Sequence, residues 1–191
     1  MSIDLSNLQL VQENIEVADD AQYIDATAFP PPIPEGVYTF IQGKPEFSAN
    51  KDKFLTAVMT HTVAGGAEDG KTLAFDRVSN KPFERSGVKV NMMKDQIRAV
   101  YPQGSPERDA RTHEQYGDAL AAAEGKPFKA EVQWEGGCNH KDTEHECDWS
   151  DKAVFRVKYQ KNFAGKDSVA CPTCGADVMA RAKINRRISA S

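Results

Sequence analysis

Phe128-Lys129-Ala130-Glu131-Val132-Gln133-Trp134 alternates apolar and polar side chains without a break. Successive side chains of a strand point to opposite faces of its sheet. The pattern therefore buries Phe128, Ala130, Val132 and Trp134 and leaves Lys129, Glu131 and Gln133 outside. Downstream, Val154 to Gln160 alternates likewise, with Phe155, Val157 and Tyr159 set against Arg156 and Lys158. Upstream, Val37 to Gln42, Lys53 to Val63 and Thr72 to Val78 read as three strands, and Asp177 to Ile188 as a last one. Helices are expected over Lys94 to Val100, stopping before Pro102, and over Glu107 to Glu124. In the second, Tyr116, Leu120 and Ala123 stand at helical spacing and Gly125 caps the end. The expected class is mainly β with minor α.

With 191 residues and 40% hydrophobic content the chain can build a real core. Residues 1–43 hold seven acids and no Lys or Arg, so the other 21 of the 28 acids share the rest of the chain with all 24 bases. An acidic leader thus precedes a mildly basic body. A short amphipathic helix is expected in the leader around Leu5, Leu8, Val11 and Ile15, and Asp19-Asp20 reads as solvated charge. Phe29 to Pro34 is Pro-rich and stiff, so the expected division is a leader and linker over 1–34 and a folded domain over 35–191. No apolar run approaches the roughly 18 residues of a membrane span, and no signal-peptide pattern opens the chain. The expected setting is cytoplasmic, where clustered cysteines read as metal ligands before disulfides.

All four cysteines lie in the last third: Cys138, Cys147, Cys171 and Cys174. Cys171-Pro172-Thr173-Cys174-Gly175 is a C-x-x-C-G knuckle, and Cys138 and Cys147 bracket a polar loop between two strands. Four thiolates complete a tetrahedral shell, so a structural Zn²⁺ on these four is expected, in a zinc-ribbon-like module around 135–176. His140 or His145 replacing one sulfur is the alternative ligand set. A filled shell leaves no open position for an activated water, which speaks against catalysis by the metal.

Gly65-Gly66-Ala67-Glu68-Asp69-Gly70-Lys71-Thr72 matches the phosphate-loop pattern letter for letter. A working phosphate loop must open a helix whose N-terminal amides cradle the phosphates. Leu73-Ala74-Phe75-Asp76-Arg77-Val78 is strand-like instead, so a hairpin turn is expected here. His61, in a strand, and His113, on a helix, read as structural or solvated.

Three strands, helices, and then further strands fit a five-stranded Greek-key barrel, the OB fold. Pro34-Glu35-Gly36-Val37-Tyr38-Thr39-Phe40, Gly125-Lys126-Pro127-Phe128 and Ala182-Lys183-Ile184-Asn185-Arg186-Arg187-Ile188 resemble segments of bacteriophage single-stranded DNA-binding proteins of that fold. The resemblance spans roughly residues 34–188 and rests on organisation and short strings. It implies an OB-like barrel with a zinc-bearing insertion, single-stranded DNA as partner alongside replication or recombination proteins, and no enzymatic activity. Such proteins often end in an acidic tail that competes for the DNA groove; here the acidic segment is N-terminal and the C-terminus basic.

Single-strand binding needs aromatic faces for stacking and cations along the backbone. Aromatic and basic residues interleave at Lys51, Lys53 and Phe54; at Arg77, Lys81, Phe83, Arg85 and Lys89; and at Arg156, Lys158, Tyr159, Lys161 and Phe163. All of these except Lys89 and Phe163 are the candidate DNA-binding groups. The two competing readings are a zinc-ribbon module that binds protein and a small nucleotide-dependent enzyme using Gly65 to Thr72.

Overall fold

The computed structural model describes residues 32–85, 87–138 and 155–191, with the backbone alone at Arg85. The leader helix expected near Leu5, the Asp19-Asp20 pair, His140, His145 and Cys147 lie outside the described residues. The chain opens with strands β1 (Gly36–Ile41), β2 (Glu46–Ala49), β3 (Leu55–Val63) and β4 (Thr72–Ser79), then the hairpin β5 (Phe83–Arg85) and β6 (Val88–Val90). Helix α1 (Met92–Val100), a 3-10 turn at Pro106–Asp109 and helix α2 (His113–Ala121) follow. The chain ends with β7 (Pro127–Cys138), β8 (Phe155–Lys158), a turn at Gln160–Phe163, β9 (Ser168–Ala170), β10 (Asp177–Met179) and β11 (Arg181–Ile188). The fold is mainly β with two short helices, as expected.

The main sheet is antiparallel and runs β11-β7-β1-β3-β2, with β4 on the other edge of β3 and β8 beside β7. β7 is its spine. Every second residue from Phe128 to Cys138 is buried, which is the alternation written in its sequence. β3 changes partner near Thr60, where the chain bends from β1 into β2. Its end pairs with β1 through Phe40↔Val63, and its start pairs with β2 through Phe47↔Ala57. Gly43 crosses this bend so closely that a Cβ there would lie 1.8 Å from the Thr60 carbonyl oxygen.

β4 and β11 share no backbone ladder among the described residues, so the strands do not close into a hydrogen-bonded barrel. Side chains span the gap instead. Arg187 on β11 donates through Nη2 to Asp76 Oδ2 on β4 and through Nε to Gln96 Oε1 on α1, each at 2.5 Å. Gln96 Nε2 donates to Gln42 Oε1 at 2.7 Å, and Gln42 Nε2 donates to the Leu120 carbonyl at 2.8 Å. His61 Nε2 completes the chain at 3.0 Å from Asp76 Oδ2, while its Nδ1 accepts from the Gly43 N–H. Buried polar groups are tolerable when each finds a partner, and this network links two edge strands, both helices and the β1–β2 bend.

The helices cover the β3–β4 side. Met93, Ile97, Tyr116 and Leu120 pack on Ala57, Met59 and Val78. The helix expected over 107–124 is broken. Thr112 caps α2 in a capping box with Gln115, and Ala110 leaves helical geometry, so the first part is only a 3-10 turn. The expected last strand is also split at Ala180, into β10 and β11. The Pro-rich stretch ends inside the packed body: Ile33 is buried, and its carbonyl accepts from Trp134 Nε1 at 2.8 Å.

Candidate metal centre and nucleic-acid interface

Cys138 ends β7, and Cys171 and Cys174 sit in the turn of the β9–β10 hairpin. That turn is held by the Gly175 N–H on the Cys171 carbonyl and the Cys171 N–H on the Ala176 carbonyl. Gly175 takes φ +75, a conformation that a side chain would strain. A small apolar core of Trp134, Val157, Phe163 and Val178 surrounds the sulfurs. Gly136 allows this closeness, since a Cβ there would come within 2.8 Å of Val178 and 2.9 Å of the Met179 carbonyl oxygen.

The Sγ atoms of Cys138, Cys171 and Cys174 all lie within 4.8 Å of one another, with Cys138 and Cys174 3.5 Å apart. Tetrahedral Zn²⁺ at Zn–S distances of ~2.3 Å sets sulfurs about 3.8 Å apart. The three described donors therefore fit such an ion. Burial pushes the Cys171 thiol up, but hydrogen bonds from the backbone of Cys174 and Thr173 outweigh it and hold the thiol below its ordinary value. Cys138 is disulfide-bonded in this structure and would serve a metal as a thiolate only once reduced. Cys147, the fourth expected ligand, lies outside the described residues.

The second candidate site is the outer surface of the sheet. Lys51 and Lys53 are exposed in the β2–β3 turn, which the Asn50 side chain braces by accepting from the Asp52 and Phe54 N–H groups. Phe54 is half-buried, its ring edge-on to His113 with centroids 6.1 Å apart, so its faces are partly taken. Lys81 pairs with Asp52 at 2.5 Å. Phe83 is exposed on the β5–β6 hairpin, where the backbone of Arg85 also lies. Arg77 points outward from β4 in register with Val58. Arg156 and Lys158 on β8 share the outer face with Glu135 on β7, and Tyr159 and Lys161 follow, both exposed. Phe163 is core, packed edge-on against Trp134.

Comparison with protein-family models, with curated proteins and with solved structures found no match to this chain. What the surface can do therefore rests on its own chemistry. Much of the basic charge on the β7–β11 face is neutralised locally: Lys183 pairs with Glu135 at 2.7 Å and Arg186 with Glu131 at 3.5 Å. A cleft of about 430 Å³ near the end of β11 is lined by Arg98, Arg108 and Arg187, but the last two are committed elsewhere. Arg108 donates to the carbonyls of Tyr101, Arg98 and Ala190, and Arg187 belongs to the buried network. His61 and Asp76, a pairing that resembles a catalytic dyad, are sealed inside the fold. The loop over Gly65 to Lys71 runs directly into β4, so the helix that a phosphate loop requires is not there. No helix among the described residues is long and apolar enough to cross a membrane.

Phe75 is not among the candidates named from the sequence, and it is the most exposed large hydrophobic among the described residues, at 83%. It sits in a β-bulge. Met59 pairs with Asp76 and His61 with Leu73, so Ala74 and Phe75 together face Thr60 alone. Its φ of +59 is rare for a bulky residue and costs of order 1–3 kcal/mol. The sequence did hold a signal: Leu73 and Val78 are an odd number of residues apart, and both are buried. A regular strand cannot turn both inward.

Proposed function

We propose that the chain is a non-enzymatic single-stranded DNA-binding protein of OB-like architecture with a structural zinc. The observation that carries this reading is the order β4-β3-β1-β7-β11, with both helices between β4 and β7. That is the order of a five-stranded OB barrel in which the seam between the third and last strands is bridged by Arg187 and Asp76 rather than by a ladder. In such a barrel the outer face of the second and third strands, here β3 and β4, takes up oligonucleotides. Binding would combine backbone neutralisation by Lys and Arg with stacking of bases on exposed rings, with little sequence preference. The bacteriophage resemblance supports a role in DNA replication or recombination, in the host cytoplasm. The zinc would tie β7 to the β9–β10 turn through Cys138, Cys171 and Cys174, and perform no chemistry on DNA.

Fluorescence titration of the full chain with oligo-dT at two salt concentrations tests this reading. Tight binding that weakens steeply with salt supports it. Absence of binding at low salt removes it in favour of a zinc-ribbon module for protein partners, a reading favoured by the two hairpins that carry the cysteines.

A further inference from the structure

We propose that Phe75, with Arg77 beside it, is the principal base-stacking site of this protein, a site for single-stranded nucleic acid on the outer face of β3 and β4. This rests on the DNA-binding reading above and adds Phe75 to Arg77, a candidate already named from the sequence. Three observations converge. The bulge opposite Thr60 turns the Phe75 ring outward, leaving it 83% exposed, while its neighbour Asp76 is buried on the inner face. Arg77 emerges on the same side of the strand, exposed, and makes no ion pair with a carboxylate among the described residues. By contrast, Lys71, Lys81, Lys183 and Arg186 are each paired with a carboxylate. An open aromatic face beside an available guanidinium is what a base and its phosphate require together. Thr60 and Val58, across from these residues on β3, carry no charge themselves.

The arrangement is also held from behind. Asp76 is fixed by Arg187 and His61, so the residue next to Phe75 cannot relax outward and draw the ring in. Asp76 is in this sense a positioning residue for Phe75.

The test uses the full chain and oligo-dT by fluorescence anisotropy at two salt concentrations. Phe75→Ala should weaken binding about tenfold or more and leave the salt slope unchanged. Phe75→Trp should restore affinity, and its emission should be quenched as the strand binds. Arg77→Gln should lower the salt slope by about one. Melting temperatures of the Phe75 variants should stay at or above that of the parent, because the ring contributes little packing. An abasic strand should bind the parent and Phe75→Ala equally. If the parent binds and Phe75→Ala binds as tightly, this assignment is wrong while DNA binding stands. If the parent does not bind, both fall, and an exposed Phe75 belongs to a protein contact instead.

Discussion

Arg187 and Asp76 meet across the unladdered edges of β11 and β4, with Nη2 2.5 Å from Oδ2 and each side chain only 6% exposed. The pair performs by side chains what backbone hydrogen bonds perform between the other neighbours of the main sheet. It also joins Gln96 of α1 and His61 of β3 to the same centre. Arg187→Ala would strand a buried carboxylate and should cost about 3–5 kcal/mol, read from the urea midpoint. The double replacement Arg187→Met with Asp76→Leu should recover much of that loss. A single-variant effect no larger than that of a surface substitution would show that the pair does not hold the seam.

Acid should weaken the fold through the same carboxylate. Burial alone would push Asp76 up, but Arg187 and His61 outweigh it and hold the carboxyl at about 2, below the ordinary 3.8. A depressed carboxylate stabilises above its unfolded value and loses that stability as pH falls through its folded value. The window is therefore from about pH 4 down to about pH 2, and the contribution is roughly 2 kcal/mol. Urea unfolding from pH 6 downward should show this decline in the parent. It should be much reduced in Asp76→Asn, which is less stable at neutral pH; equal slopes would remove Asp76 as the titrating group.

Gly43 and Gly136 should not tolerate alanine, for a reason of space. The Gly43 Cβ would stand 1.8 Å from a backbone oxygen of β3, and the strand can yield only by losing the β1–β2 bend. Gly43→Ala is expected to cost about 3 kcal/mol or more by denaturant unfolding. Gly65→Ala, with nothing within 4 Å but φ +81, should cost clearly less. Comparable losses at the two sites would contradict the steric account.

Metal and DNA binding should separate. The reduced protein should bind one Zn²⁺, and Cys174→Ser or a chelator should remove it and lower the melting temperature. Oligo-dT affinity of the still-folded protein should change less, because Cys138 at the end of β7 and Cys171 and Cys174 in the β9–β10 turn are not on β3 or β4. Zinc analysis that finds no metal in reduced protein would end the structural-zinc reading.

The acidic leader should compete with DNA if it occupies the basic surface. Removal of residues 1–30 should tighten oligo-dT binding most at low salt, by screening logic. The cut must spare Ile33, which is buried and anchored to Trp134, or folding rather than competition will be measured. Unchanged affinity at low salt would show that the leader does not compete.

Local pattern was enough for much of the fold. The alternation of Phe128 to Trp134 specified a strand and its buried face, and β1, β3, β4, β8 and α1 lie within about two residues of where periodicity and breakers put them. The short β2, β5, β6 and β9 carry too few residues for a period to register. The break before α2 came from a Thr112–Gln115 capping box inside a stretch that otherwise has helical spacing.

By itself, then, the sequence determined the β-rich class, the acid-to-base division of the chain and the cysteine set available to a metal, because these depend on composition and on neighbours along the chain. Only the tertiary structure decided which cysteines meet, that Arg187 is a buried bridge rather than a surface cation, and that Phe75 faces outward. Each of these depends on residues far apart in sequence. Arg187 and Asp76 are joined by the order of strands, and the side on which Phe75 emerges is set by one extra residue opposite Thr60, which reverses every side chain beyond it.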